Sequence, residues 1–184
     1  MPRYAAFLRG INVAGRRATK EQLCACFEAL GFGDVGTFRA SGNVLFTAKR
    51  QSPAAMSARI EEGLERSLGY PVTTFLRTDG EMAAIAAFEP FVPADVRASS
   101  GKLQVMLLSE GPSPEARDDV LALATAEDRL AFGERELYWL PSGNMRDSTL
   151  KLRQVEALVG TWTMRTKGTL DAIAARTSSA DPAG

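Results

Sequence analysis

The chain has no histidine among its 184 residues. Ser-His, Cys-His and His-metal mechanisms are therefore closed to it, leaving carboxylate, lysine, tyrosine or cysteine chemistry, or none. Cysteine is nearly absent as well, with only Cys24 and Cys26. Two apart in a predicted helix, their side chains diverge by roughly 200° and cannot close a relaxed disulfide. Two thiols without a histidine make no tetrahedral zinc site, so no metal and no cofactor is expected. An excess of one charge is also missing: Lys plus Arg equals Asp plus Glu at 22 each, so any pull on an anion or a nucleic acid must be local. Apolar runs such as Val105 to Leu108 are far too short to span a membrane, and the N-terminus reads as a strand rather than an export signal. The expected location is the cytoplasm.

What is present is a repeated order of elements. Arg3 to Arg9 is a compact apolar strand ended by Gly10. Thr19 and Gln22 form a capping box for a helix with Leu23, Cys26, Phe27 and Leu30 on one face and Gly31 as its stop. Val35 to Ala40 and Asn43 to Ala48 read as strands around a Ser41-Gly42 turn. Ser52-Pro53 opens a second helix, carrying Met56, Ile60, Leu64 and Leu68 inward as far as Gly69, and Val72 to Arg77 is the fourth strand. Strand, helix, strand, strand, helix, strand is the order of the ferredoxin-like α/β plait. Such a sheet buries one face under its helices and leaves the other for water, a partner or a ligand.

The order then begins again. Leu103 to Leu108 is a strand, and Ser113-Pro114 opens a helix. Strands follow at Arg129 to Phe132 and Glu136 to Leu140. Asp147 or Ser148 caps a helix that stops at Gly160, and Thr161 to Arg165 completes the set. The fold class is therefore α+β, with two tandem ferredoxin-like (βαββαβ) subdomains and mostly antiparallel sheets. The expected division is a first subdomain at 1–78, a helical or irregular connector at 79–101, a second subdomain at 102–176 and a disordered tail at 177–184. The repetition is one of element order rather than residue identity, and an exchange of edge strands between subdomains stays open. Tyr138 and Trp139 alternate on their strand, so one of them is expected to be covered by the neighbouring subdomain.

Most of the candidate site residues lie in the first subdomain. The turn Arg9-Gly10-Ile11-Asn12-Val13-Ala14-Gly15 follows a strand and leads toward a helix, where backbone N–H groups can hold an anion. Its spacing matches neither G-x-G-x-x-G nor the Walker A pattern, and a glycine turn after a strand is more often plain chain reversal. Arg3, Arg9, Arg16, Arg17 and Lys20 all precede the first acid, Glu21. Arg39, Ser41 and Asn43 sit on the hairpin of the same subdomain, where ordinary turn chemistry also accounts for Ser41 and Asn43. In the second subdomain acids dominate residues 110 to 136, while Lys151, Arg153, Arg165 and Lys167 form a basic stretch.

On the segments LRGINVAG at 8 to 15, FRASGNVLF at 38 to 46 and GERELYWL at 133 to 140, the chain resembles the bacterial family catalogued as domain of unknown function 1697. The resemblance implies two tandem ferredoxin-like subdomains and no established activity. It marks Arg9, Gly10, Asn12, Ser41, Gly42, Asn43 and Arg165 as candidate positions. The family's Thr-Thr-Arg-Asn-Trp-Asn-Thr ending here reads Thr163-Met164-Arg165-Thr166-Lys167-Gly168-Thr169, which keeps Thr163, Arg165 and Thr169 and loses the Asn-Trp pair.

The leading expectation is a binding module for a small anionic or phosphate-bearing ligand, held by Arg9, Gly10, Asn12, Arg39, Ser41, Asn43 and Arg165. One alternative is a histidine-independent enzyme acting on a small phosphorylated substrate, with Lys151 or a carboxylate as base; no catalytic residue is assigned. Another is a protein or RNA interaction module using open sheet faces, although the basic and aromatic signature of RNA-reading plaits is missing. No membrane partner is expected, nucleic acid is the weaker partner, and a monomer is favoured.

Overall fold

Strand β1 (Arg3–Arg9) places five consecutive buried residues, Tyr4 to Leu8, between two half-buried arginines. A run buried on both faces belongs to a central strand covered on both sides. It occupies that position: β1 pairs antiparallel with β3 (Asn43–Thr47) on one edge and with β4 (Thr73–Thr78) on the other, and β2 (Gly33–Thr37) lies beyond β3. Helices α1 (Lys20–Ala29) and α2 (Pro53–Leu68) cover one face. There Tyr4, Ala6 and Leu8 meet Leu23, Phe27, Ile60 and Leu64. Phe46 stands at the centre, with its ring 5.6 Å from Tyr4, 5.2 Å from Phe27 and 4.6 Å from Phe32. The capping box that starts α1 has both halves, Gln22 N to Thr19 Oγ1 at 3.2 Å and Thr19 N to Gln22 Oε1 at 2.9 Å. Helix α2 has Pro53 in its first turn, and the Ser52 side chain makes no cap bond.

The computed structural model describes residues 1–39 and 42–178. After β4 come α3 (Asp79–Ala87) and α4 (Pro93–Ala98), the latter a short helix in a stretch whose prolines argue against periodicity. The second sheet is built from β5 (Gln104–Leu108), β6 (Asp128–Phe132), β7 (Glu136–Pro141) and β8 (Trp162–Thr166), with α5 (Pro114–Leu121) and α6 (Leu152–Val159) between them and α7 (Lys167–Thr177) after. The sheet orders are β2-β3-β1-β4 and β6-β7-β5-β8, all pairs antiparallel. These are two tandem ferredoxin-like subdomains. Each sheet uses four consecutive strands, so no strand is exchanged.

The chain separates into one unit of Met1–Ala83 with the residues from Ile173 onward, and a second unit of Ala84–Ala172. In the first unit the far face of the sheet is not open, contrary to the expectation. Ala5, Phe7, Phe75 and Arg77 are all buried there, and α7 ends in the same unit: Arg3 Nη1 donates to Arg176 O at 2.9 Å. Thr177, expected in a loose tail, is 2% exposed and closes α7, while 179–184 lie outside the described residues. In the second unit Trp139 packs with Met106 and Leu137 under the helices, and Tyr138 points the other way. Tyr138 is covered within its own unit, its hydroxyl 3.5 Å from Ile85 O and its ring 5.0 Å from Phe88. A residue's alternation fixes its face but not what covers it.

The repetition also reaches individual residues, beyond element order. Arg77 faces Ala5 and donates from Nη1 to Leu76 O at 2.8 Å; Arg165 faces Val105 and donates from Nη1 to Met164 O at 2.7 Å. The next residue in each unit is a threonine that starts the following helix, Thr78 Oγ1 accepting from Glu81 N at 3.2 Å and Thr166 Oγ1 from Thr169 N at 3.3 Å. The expected cap of α6 differs. Ser148 Oγ instead accepts from Leu150 N and donates to Asp128 Oδ1, Asp147 ends a 3-10 turn, and α6 begins at Leu152.

Candidate functional site

Pairing brings three loops of the first unit to one end of its sheet. Phe7 faces Asn43 and Leu8 N donates to Gly42 O at 2.8 Å, which sets the end of β1 beside the β2–β3 hairpin. Arg9 faces Thr73, which adds the α2–β4 connection. Loops 10–19, 38–42 and 69–72 contain Arg16, Arg17 and Arg39 and not one Asp or Glu.

Loop 10–19 is held in an uncommon shape. Gly10 has φ +91°, Asn12 +54°, Ala14 +49° and Gly15 +83°. Left-handed backbone costs a residue with a Cβ roughly 1–2 kcal/mol. Asn12 offsets part of this, its exposed side chain accepting from Ala18 N through Oδ1 at 3.0 Å. Among residues 10 to 14, only 10, 12 and 14 have positive φ; anion-binding nests are built from alternating right- and left-handed residues.

The aromatic rings at this end carry guanidinium groups. Arg16 lies 5.0 Å from the Tyr70 ring centre, while Arg39 lies 5.4 Å and Arg176 4.6 Å from that of Phe38. Arg39 itself has φ +56° and is exposed. Arg16 and Arg17 have neither an ion pair nor a side-chain hydrogen bond among the described residues. Arg176 was not a candidate from sequence, because nothing local ties α7 to a hairpin near the other end of the chain.

The remaining candidates divide. Asn43 is 2% exposed and clasps the hairpin, Nδ2 donating to Phe38 O at 3.0 Å while Phe38 N donates to Asn43 O at 3.0 Å. Its amide is spent on the turn. Ser41 lies outside the described residues. Arg165 belongs to the second unit, on β8, where Nη1 donates to Thr163 Oγ1 and Met164 O, and burial lowers its pKa to about 10. Lys151 is exposed at the start of α6 in the same unit. Both cysteines are free, and their thiols are pushed up by burial, with Glu28 and Glu21 adding to the rise at Cys24. Among the described residues no group of three or more His, Cys, Asp or Glu could hold a metal ion, and no helix is long and apolar enough to cross a membrane.

Two ferredoxin-like units in tandem, one of them with a basic loop end, define the class by fold. Residues 1–138 match the model of the family described as Protein of unknown function (DUF1697), and the chain belongs to that family. Among solved structures it is similar to a conserved bacterial protein from Streptococcus pneumoniae, with a TM-score of 0.73 and 21% identity over 96% of this chain and 99% of that one. Comparison with curated proteins gives no match.

Proposed function

We propose that the loop end of the first sheet binds a small anionic ligand carrying a phosphate group, in a monomeric protein of the bacterial cytoplasm. The observation behind this reading is the convergence of Arg9, Arg16, Arg17 and Arg39 on three loops that contain no acid. In a chain of zero formal net charge, this is a local field of one sign. Arginine forks pair with phosphate oxygens bidentately, and the alternating backbone of 10–14 adds N–H donors suited to the same group.

The test is a thermal-shift panel of inorganic phosphate, pyrophosphate, nucleoside mono- and triphosphates and sugar phosphates at constant ionic strength. A ligand at about 100 times its Kd stabilises by roughly 2.7 kcal/mol. At least one phosphate compound should raise Tm, and the rise should disappear in Arg39→Gln and persist in Arg66→Gln, which alters an exposed arginine on α2 paired with Glu62 at 3.5 Å. A flat panel, or a rise indifferent to Arg39, would sink the proposal.

A further inference from the structure

A second candidate site lies wholly in the second unit and is independent of the basic loops. A cleft of about 230 Å³ opens between the end of α3, helix α4, the start of β5 and the first turns of α7. Its walls are apolar: Phe88, Pro90, Phe91, Val96 and Leu103. They are tied down by contacts outside the cleft. The Phe88 ring meets Tyr138 edge-on at 5.0 Å, and Phe91 lies 5.9 Å from the Arg129 guanidinium, which is itself held by Asp95 at 2.7 Å. Ser99, at the end of α4, donates to Pro141 O on β7. Walls anchored in this way form a site before any ligand arrives, which lowers the ordering cost of binding.

The most buried polar group in the lining is Lys167. Its side chain is 12% exposed, and its ammonium donates to Ala86 O at 2.9 Å and Asp171 Oδ1 at 2.6 Å. An ammonium has three donors, so one has no acceptor among the described residues. Leaving a charged donor unpaired in a mostly buried position is costly, and an acceptor placed in the cleft removes that cost. Arg97 on the rim adds a second cation, with no partner among the described residues. Glu89, the free acid at the rim, is exposed and therefore strongly screened, while Asp171 is already matched by Lys167.

We infer that this cleft binds a small ring-bearing carboxylate, with the ring between Phe88, Phe91, Val96 and Leu103 and the carboxylate on the spare donor of Lys167 and the fork of Arg97. The volume is below the roughly 300–1,000 Å³ of drug-sized sites, which favours a single ring over a nucleotide.

Two-dimensional NMR titration of the whole chain with benzoate tests this, with benzyl alcohol, acetate and inorganic phosphate as comparisons. Benzoate should give saturable shifts at Phe88 to Leu103 and at Lys167, with binding about tenfold tighter than for benzyl alcohol, which lacks the charge, and for acetate, which lacks the ring. Phosphate should leave these signals in place whatever it does at the first unit. Because Lys167 also holds α3 and α7 through its present bonds, the variants are Arg97→Gln, expected to weaken benzoate several-fold, and Val96→Trp, expected to fill the cleft and abolish binding in a chain whose spectrum is otherwise folded. Absence of saturable benzoate shifts overturns the inference. So do equal effects of acetate or benzyl alcohol, or benzoate binding that survives Val96→Trp.

Discussion

Replacing Asp128 by alanine removes an acid that is fully buried at the start of β6. Its Oδ1 accepts from Trp139 Nε1 at 2.8 Å and from Ser148 Oγ at 2.7 Å, while its buried Oδ2 has no partner among the described residues. In the alanine variant the indole N–H of Trp139, a residue 1% exposed, is left without an acceptor, which costs about 1–3 kcal/mol. Ser148 loses its anchor as well, adding up to about 1 kcal/mol because that side chain can turn to water. Removing a carboxyl group with an unpaired buried oxygen returns part of this. The expected net loss is about 2–3 kcal/mol for Asp128→Ala. Asp128→Asn keeps an acceptor oxygen for both donors and should lose about 1 kcal/mol less. Urea unfolding followed by far-UV circular dichroism measures both, and equal m-values confirm that the same surface is being exposed. A cycle with Trp139→Phe isolates the indole bond and should return a coupling of about 1–2 kcal/mol. If alanine and asparagine cost the same, or if the cycle is additive, the Asp128–Trp139 bond does not hold β6 to β7 as the geometry requires.

Two further substitutions or titrations test other features. Ala14→Gly relieves a left-handed residue at φ +49°, worth roughly 1–2 kcal/mol, and adds roughly 0.5–1 kcal/mol of unfolded-state entropy. The urea midpoint should stay level or rise, the reverse of the usual alanine-to-glycine loss, and a clear drop would contradict a strained loop. Burial holds both cysteine thiols above the ordinary thiol range, so at neutral pH both are overwhelmingly protonated. Alkylation by iodoacetamide should be slow at pH 7, rise about tenfold per pH unit, and lag at the more buried Cys26; rapid neutral alkylation of either thiol would refute this.

Strand β1 was legible to the residue because a short apolar run between arginines and a glycine admits few alternatives, and α1 was legible because Thr19 and Gln22 announce a capping box whose two bonds are both made. The strand order followed from the element order. What covers Phe7 and Tyr138 was not legible, because a period of two gives a side chain's face and says nothing of the distant segment lying on it. Asn43 and Ser148 show the same limit at smaller scale. Each was a polar residue in the right place for a ligand or a cap, and each was taken by a nearby group, the Phe38 carbonyl in one case and Asp128 in the other. Arg165 read as a site residue through the family resemblance, while its bond to Met164 O mirrors that of Arg77 to Leu76 O, a likeness visible only once the strands are registered.

The duplicated fold supplies an internal comparison for the phosphate proposal. The second sheet has the same end, formed by the β5–α5 loop and the β6–β7 turn, and it too carries arginines. There Arg117 donates to Gly133 O at 2.9 Å and Glu134 O at 2.6 Å and lies 5.1 Å from the Phe132 ring centre, and Arg135 donates to Ser109 O at 2.7 Å. Backbone carbonyls absorb these guanidinium groups, and Glu110 and Glu134 lie in the same loops. The first unit's three loops contain no acid, and Arg16 and Arg17 have no such carbonyl partners among the described residues. One fold thus carries two loop ends of similar arginine content and opposite electrostatic fate. If basic turns alone attracted phosphate, the two ends would respond alike. If Arg16 and Arg17, free of carbonyl partners among the described residues, and loops without acids decide it, a phosphate ligand should shift the amides of residues 9–17 and leave those of 109–117 and 132–136 unmoved.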